Sequence, residues 1–198
     1  MTTENIHTEF HRFLTREDKE NLLNQRGIVV WMCGLSGSGK STIAKAAERV
    51  LHQEGHFTTI HDGDNLRSGL NANLGFSNDD RFENIRRFSE LAKLFVQQGV
   101  ITFVSAITPT EELRNLAHDI LGDDMFEVYI KASYETCEKR DVKGLYAKAA
   151  RGEIDDFTGK QSIFMEPSSP DLILDTEVIS IKDGTSVLLE AIRQRILP

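Results

Sequence analysis

Ile28-Val29-Val30-Trp31-Met32-Cys33-Gly34-Leu35-Ser36-Gly37-Ser38-Gly39-Lys40-Ser41-Thr42 holds, within fifteen residues, the marks of a strand, a loop and the start of a helix. The first six residues form an unbroken apolar run, β-branched at its start. Such a run suits a central strand buried on both faces of a parallel sheet. From Gly34 the chain fits G-x-x-x-x-G-K-[ST], and a helical stretch follows from Lys40 to about Glu54. Glycines let backbone N–H groups converge on phosphate oxygens, and the N-terminus of the following helix adds partial positive charge. This arrangement assigns Gly34, Leu35, Ser36, Gly37, Ser38, Gly39, Lys40, Ser41 and Thr42 to the phosphates of a nucleoside triphosphate. Lys40 neutralises the β- and γ-phosphates, and Ser41 holds Mg²⁺. No Asn-Lys-x-Asp guanine motif occurs, which weighs against a GTPase switch.

On either side of this stretch, strands and helices alternate. Phe57–His61, Val100–Val104, Phe126–Ile130, Leu172–Leu174 and Val178–Ile181 read as strands. Helices are predicted after Thr15 as N-cap, between Arg81 and Gln98, from near Pro109 to about Leu121, after Ser133 through Cys137 and Arg140, and from Thr185 to Ile196. The expectation is a three-layer α/β P-loop NTPase fold, its mainly parallel sheet covered by helices on both faces. Asp141 to Pro170 breaks the alternation: it is long, charged and punctuated by glycine, the character of a functional lid. The chain then reads as one P-loop domain over residues 1–198, with residues 1–26 an N-terminal extension and about 141–170 the lid.

With 198 residues, 39% of them hydrophobic, the chain has enough apolar material for one well-buried core. Its formal charge of −8 gives no general attraction for nucleic acid or an anionic membrane, so neither is expected as a partner. Any anionic ligand must be held by local groups. Cys33 and Cys137 are too few for a disulfide framework, Met1-Thr2-Thr3-Glu4-Asn5 lacks the character of a signal peptide, and no apolar run approaches the ~18 residues of a membrane span. These features point to a cytoplasmic protein with reduced thiols.

At the end of the second strand, His61-Asp62-Gly63-Asp64 places two carboxylates around a glycine. They suit a metal, a water or an acceptor hydroxyl, or else a simple Asx turn. His52 and His56 are four apart, but Gly55 marks the end of the helix between them and argues against a metal pair. Trp31 reads as core.

Asp62-Gly63-Asp64-Asn65-Leu66-Arg67, Leu74-Gly75-Phe76-Ser77 and Asn84-Ile85-Arg86-Arg87 closely resemble the adenylylsulfate kinase family, which phosphorylates the 3′-hydroxyl of adenosine 5′-phosphosulfate. The resemblance runs over nearly the whole chain and includes Lys143-Gly144-Leu145-Tyr146, Gly152-Glu153-Ile154 and Phe157-Thr158-Gly159. It implies ATP and adenylyl sulfate as substrates, Mg²⁺ with the ATP, a homodimer, and a functional association with ATP sulfurylase. A doubly charged phosphosulfate needs a cationic clamp within an acidic protein, and guanidinium forks suit its oxygens. By resemblance that clamp is Arg67 and Arg81, with Asn84 as a neutral donor.

The same resemblance makes Phe76 and Phe157 the two faces that stack on the acceptor adenine, adds Ile107 and Lys148 to the acceptor site, and brings Arg140 towards the donor phosphates. Phe157 lies in a polar segment where a core aromatic is unexpected, whereas Phe76 remains open between core and ligand. Asp62 is expected to orient or deprotonate the acceptor hydroxyl and to serve the metal, with Asp64 supporting Arg67 or the metal's waters. Thr108 stands where the family carries a serine once assigned as a phosphorylated intermediate. For Arg86 and Arg87, a solvated helix face and ligand contact are equal readings.

The chain departs from the family at Ile107-Thr108-Pro109-Thr110-Glu111, where Ile-Ser-Pro-Tyr-Arg is usual. Further departures are the shifted Arg151, Asp155, and the run Lys160-Gln161-Ser162-Ile163-Phe164-Met165. They motivate two alternatives: a P-loop kinase for a related nucleotide, or a degenerate module that binds ATP and a partner.

Overall fold

The computed structural model describes residues 7–154, 157–159 and 162–198. Departures at Asp155, Lys160 and Gln161, and the reading of the first five residues, lie outside them. Strands β1 (Ile28–Cys33), β2 (Thr58–Asp62), β3 (Ile101–Ser105), β4 (Met125–Lys131) and β5 (Leu172–Asp175) form one sheet in the order β2-β3-β1-β4-β5. Every neighbouring pair is parallel, so the C-terminal ends of all the strands open on the same edge. In open α/β sheets ligands bind along that edge.

Both faces of β1 are buried, which explains its unbroken apolar run. Ile28, Val30 and Met32 join a core built with α2 (Lys40–Gln53) and α8 (Ile181–Ile196). Val29, Trp31 and Cys33 face the other way, into a core shared with α4 (Asn78–Val96) and α5 (Glu111–Leu121). Trp31, Phe88 and Phe103 are among the largest wholly buried side chains. Burial of such side chains stabilises by roughly 1.5–3 kcal/mol each, which makes this sheet a stiff platform.

Local cap chemistry sets the helix starts. Ahead of α1 (Arg16–Leu23), Thr15 Oγ1 accepts from Asp18 N at 3.1 Å, and Asp18 Oδ2 accepts from Thr15 N at 2.9 Å. Ser77 caps α4, and Ser133 caps α6 (Tyr134–Arg140).

One predicted strand is absent. Val178–Ile181 is not paired; Ser180 Oγ accepts from Asp183 N at 3.1 Å, and α8 starts at Ile181 rather than Thr185. The position beside β4 is already taken by β5, Val178 is exposed, and the Ser–Asp cap prevails over β-branched propensity. Gly184 sits inside the helix because a Cβ there would come within 3.1 Å of Ile179. Among the described residues two short α-helices also form where none was predicted: α3 (Gly63–Arg67), and α7 (Leu145–Ala150) within the long irregular segment.

Candidate active site

The loop between β1 and α2 bends at Gly34, Gly37 and Gly39, with φ of 146°, 79° and 109°. At Gly34 a side chain is excluded on space as well, since a Cβ would lie 2.5 Å from the Ile130 carbonyl oxygen. Lys40, the first residue of α2, folds back over this loop. Its Nζ donates to the carbonyls of Gly34 at 2.9 Å and Leu35 at 2.7 Å. Burial pushes its ammonium down to about 8, so the cation is held ready at a poorly solvated position.

The parallel register places Asp62, at the end of β2, beside Ser105 at the end of β3. Ser41 Oγ lies between them, donating to Asp62 Oδ2 at 2.5 Å and standing 3.0 Å from Ser105 Oγ. Burial works against the charge of Asp62. The hydrogen bonds from Ser41 and the Asp64 backbone, the Lys143 ammonium and Ser105 outweigh it and hold the carboxyl below its ordinary range. His61, from the same motif, is not part of this group: it is buried edge-on to Phe95 at 4.9 Å, and burial pushes its imidazole down to about 4.

Residues 141–154 and 157–159 lie over this edge. Asp141 caps α7, accepting from Tyr146 N and Ala147 N at 3.0 Å each. Lys143 Nζ reaches Asp64 Oδ2 at 2.5 Å. The Tyr146 hydroxyl donates to the Ser36 carbonyl at 2.8 Å, and its ring meets Phe157 edge-on at 4.8 Å. Phe157 is therefore not an exposed face in a polar segment. It is only 8% exposed, in an apolar cluster with Leu35, Ala132, Cys137, Tyr146 and Ala149. Sequence periodicity missed that cluster because its members come from four separate stretches of the chain.

Opposite stands the N-terminal part of α4. Phe76 is 57% exposed, so it is not a core residue, and the Arg67 guanidinium lies 4.4 Å from its ring centroid. Arg67 Nη1 also donates to the carbonyls of Leu74 at 3.1 Å and Gly75 at 2.7 Å. Arg81 donates through Nε to the Phe76 carbonyl at 2.9 Å and through Nη1 to Thr158 Oγ1 at 2.8 Å. Arg67, Phe76, Arg81 and the Phe157-Thr158 pair thus come together.

Asn84 is buried nearby, its Oδ1 accepting from Asn71 Nδ2 at 3.0 Å. Arg86 and Arg87 both bind Glu83, at 2.7 Å, and pull its carboxyl down to about 2. Arg87 also holds Asn73 Oδ1 and the Leu70 carbonyl, so it braces the loop before α4. Lys148 stands exposed in the last turn of α7, near Glu153.

On the donor side, Arg140 Nη1 approaches the carbonyls of Gly37 and Ser38 at 3.4 Å, and its Nη2 donates to the Thr176 carbonyl at 2.7 Å. Thr176 Oγ1 in turn donates to the Ser38 carbonyl at 2.8 Å. Sequence reasoning gave no part to Thr176, Ser105 or Tyr146. The Lys143–Tyr146 motif was a signal for the last; Ser105 emerges only from the sheet register, and Thr176 only from where the chain goes after β5.

Ile107 contributes its carbonyl, which accepts from Gly34 N at 3.2 Å. Thr108 departs from expectation. It is 1% exposed in a left-handed conformation at φ 46°, and its Oγ1 accepts from Trp31 Nε1 at 3.0 Å. A hydroxyl so occupied is not presented for chemistry. Thr108→Val should lower stability by roughly 1–3 kcal/mol, because it orphans the buried indole N–H, while turnover stays within a few-fold. Loss of turnover from a folded variant would restore the covalent reading.

The other departures also have local reasons. Glu111 opens α5 after the Thr110 cap, where a negative charge suits the helix dipole. Met165 is pinned by its N–H to the Pro109 carbonyl at 2.8 Å, and by Arg114 Nη1 to its own carbonyl at 3.0 Å.

Comparison with known proteins extends this geometry. The family described as adenylylsulphate kinase matches residues 26–175. The adenylyl-sulfate kinase of Phocaeicola vulgatus is 54% identical over 193 residues, spanning 97% of this chain and 95% of its own. That of Clostridium acetobutylicum is 48% identical, spanning 91% and 90%. Among solved structures, the Mycobacterium tuberculosis APS kinase in complex with AMPPNP and APS aligns with a TM-score of 0.82 and 46% identity. That alignment covers 85% of this chain and 98% of the other.

Proposed function

The chain belongs to the adenylylsulphate kinase family, and from that premise we propose how it transfers the γ-phosphate of ATP to the 3′-hydroxyl of adenylyl sulfate, giving 3′-phosphoadenylyl sulfate and ADP. One observation carries the acceptor half: Arg81 bridges the Phe76 carbonyl and Thr158, gathering the cationic and aromatic groups of two separate segments beside the phosphate loop.

The loop from Gly34 to Thr42 receives the ATP phosphates on its backbone N–H groups. Lys40 exchanges its two carbonyl partners for phosphate oxygens and neutralises the charge that spreads over the transferred group. Arg140 and Thr176 brace the far side of the loop. Arg67, Arg81 and Asn84 hold the phosphosulfate, Phe76 supplies an exposed face for the adenine, and Phe157 backs the site from within its cluster. Lys148 adds a cation from α7.

Asp62 orients the 3′-hydroxyl. As its oxygen bonds to the γ-phosphorus, the bond from that phosphorus to the bridging oxygen breaks, and the hydroxyl proton passes to the carboxylate. Asp64, through Lys143, ties the strand end to the segment that excludes water.

Hard oxygens of Ser41, Asp62 and Ser105 gathered beside the loop suit Mg²⁺, which takes one or two side chains together with substrate phosphates. Ser41 and Asp62 would hold it, and it would supply charge neutralisation at the phosphate oxygens. Residues 141–170 act as the lid of a single kinase domain. No helix among the described residues is long and apolar enough to cross a membrane. The buried free thiols Cys33 and Cys137 support a reducing, cytoplasmic setting. A homodimer and a working association with ATP sulfurylase complete the reading; exposed Phe10, Phe13 and Leu14 offer an apolar surface for a second copy.

The test is the product: incubation with Mg-ATP and adenylyl sulfate, followed by mass and NMR assignment of the new phosphate. Phosphate on the 3′-oxygen supports the assignment, and phosphate elsewhere overturns it. Arg81→Ala should raise KM for adenylyl sulfate roughly 10–100-fold, the worth of a charged hydrogen bond, with KM for ATP within about threefold. Equal loss on both substrates would remove Arg81 from the acceptor site.

A further inference from the structure

We propose that Asn71 is a positioning residue that fixes which end of the Asn84 amide faces the acceptor, so that an N–H2 donor and not a carbonyl meets the phosphosulfate. The inference deepens the reading above and rests on it. Asn71 Nδ2 donates to Asn84 Oδ1 at 3.0 Å. Asn71 is wholly buried, and Asn84 is 8% exposed. With its oxygen turned inward to Asn71, the Asn84 amide has its Nδ2 left to turn outward. Arg81 lies three residues earlier on α4, and side chains at that spacing share a helix face.

The two ends of the Asn84 amide are alike in shape and opposite in chemistry. Rotated by half a turn, the side chain would present Oδ1. A phosphosulfate offers acceptors alone, so it would then meet lone pairs in place of N–H groups. Asn71 decides between these arrangements by giving a donor to the inner end. Its own oxygen shows the same bias: Asn71 Oδ1 is buried and has no hydrogen-bond partner among the described residues. A buried amide that leaves its carbonyl unpaired while spending its N–H2 on a neighbour is held there for the donor.

The backbone fixes Asn71 for this task. Its N–H donates to the Leu66 carbonyl at 2.8 Å, and its carbonyl accepts from Leu74 N at 3.0 Å. Leu74 and Gly75 are the residues whose carbonyls Arg67 holds. On either side of Asn71, Arg87 holds the Leu70 carbonyl and Asn73 Oδ1. One turn therefore aligns both Arg67 and Asn84.

The test reads binding without turnover. Asn71→Asp keeps the size of the side chain and reverses the hydrogen bond: a carboxylate only accepts, so Asn84 must turn its N–H2 inward and its oxygen outward. Calorimetry in saturating Mg-AMPPNP gives the dissociation constant of adenylyl sulfate for the native chain, Asn71→Asp, Asn84→Ala and the double variant. Asn71→Asp should weaken adenylyl sulfate by about tenfold or more, with AMPPNP alone within about threefold of native. In the Asn84→Ala background the same substitution should cost about threefold or less, because no amide is left to misdirect. Repulsion by the new charge itself, or a general disturbance of the turn, would cost the same in both backgrounds and overturn the proposal. An adenylyl sulfate affinity unchanged in Asn71→Asp or in Asn84→Ala also overturns it, while leaving the kinase reading intact. If Asn71→Asp does not fold, Asn71→Ala takes its place in the cycle. It frees the Asn84 amide to adopt either orientation, so its cost should likewise vanish in the Asn84→Ala background, and an equal cost in both overturns the role. Failure of the native chain to bind adenylyl sulfate overturns the kinase reading itself.

Discussion

Lys40→Met should abolish useful turnover, lowering ADP formation by about 10²–10³-fold or more, the effect of removing one preorganised donor from developing negative charge. The isosteric side chain keeps the stem in its buried slot, so the loss reports on the ammonium. The pH dependence of nucleotide binding gives a finer check. In the free protein burial brings Lys40 down to about 8, whereas phosphate oxygens favour its charged form. AMPPNP affinity should therefore be flat below pH 8 and fall by up to tenfold per unit above it, until the higher value in the complex is reached. Lys40→Met should lack this fall.

Stability follows the same linkage. Because the folded value lies below the ordinary 10.5, the cost of the buried cation is whole below pH 8 and is relieved as pH rises towards 10.5. Between those values the free native chain should gain stability relative to Lys40→Met, by an amount on the order of a few kcal/mol. Thermal unfolding of both proteins across that window measures it. A constant difference would mean that Lys40 is better solvated than its burial implies.

Asp62→Asn should lower kcat by about 10²–10⁴-fold, the range for a positioned acid–base group, with little change in folding. Its amide oxygen can still accept from Ser41, so the strand end keeps its shape. What is lost is the charge facing the acceptor hydroxyl and the metal. Since the carboxyl is held below its ordinary 3.8, it is ionised throughout the neutral range. Its contribution to stability is whole above that ordinary value and is lost as pH falls through the lowered one. A carboxylate held below that value is a weak base, and its chief work is orientation, in keeping with a transfer that asks little of proton abstraction. A variant that keeps more than a tenth of native kcat would displace Asp62 from this role.

The legible part of the molecule was the local part. The apolar strand, the glycine loop and the helix after it are each written in contiguous residues, and Thr15 and Ser133 announced their helix starts by side-chain chemistry alone. Alternation of strand and helix then gave the parallel sheet. The strand misread at Val178–Ile181 shows the limit: β-branched residues signal a strand only where the sheet has a place for one, and β5 had taken it.

The site was legible as residue types and less so as contacts. Arg67, Phe76 and Arg81 could be chosen because a charged nucleotide demands cations and an aromatic face. That Phe157 would be buried, that Thr108 would spend its hydroxyl on Trp31, and that Ser105 would complete the group around Ser41 all depend on residues far apart in the chain. Tyr146 lay inside a quoted motif, yet its contact becomes visible only when Ser36, 110 positions away, is placed beneath it.

The most direct measurement is ADP release from Mg-ATP with adenylyl sulfate, with AMP, and with no acceptor. The geometry predicts rapid release with the phosphosulfate and release slower by at least tenfold with AMP, which lacks the group that Arg67 and Arg81 hold. With water alone it should be slower still. Equal release with all three, or ATP binding without acceptor-dependent release, would contradict the account at its centre.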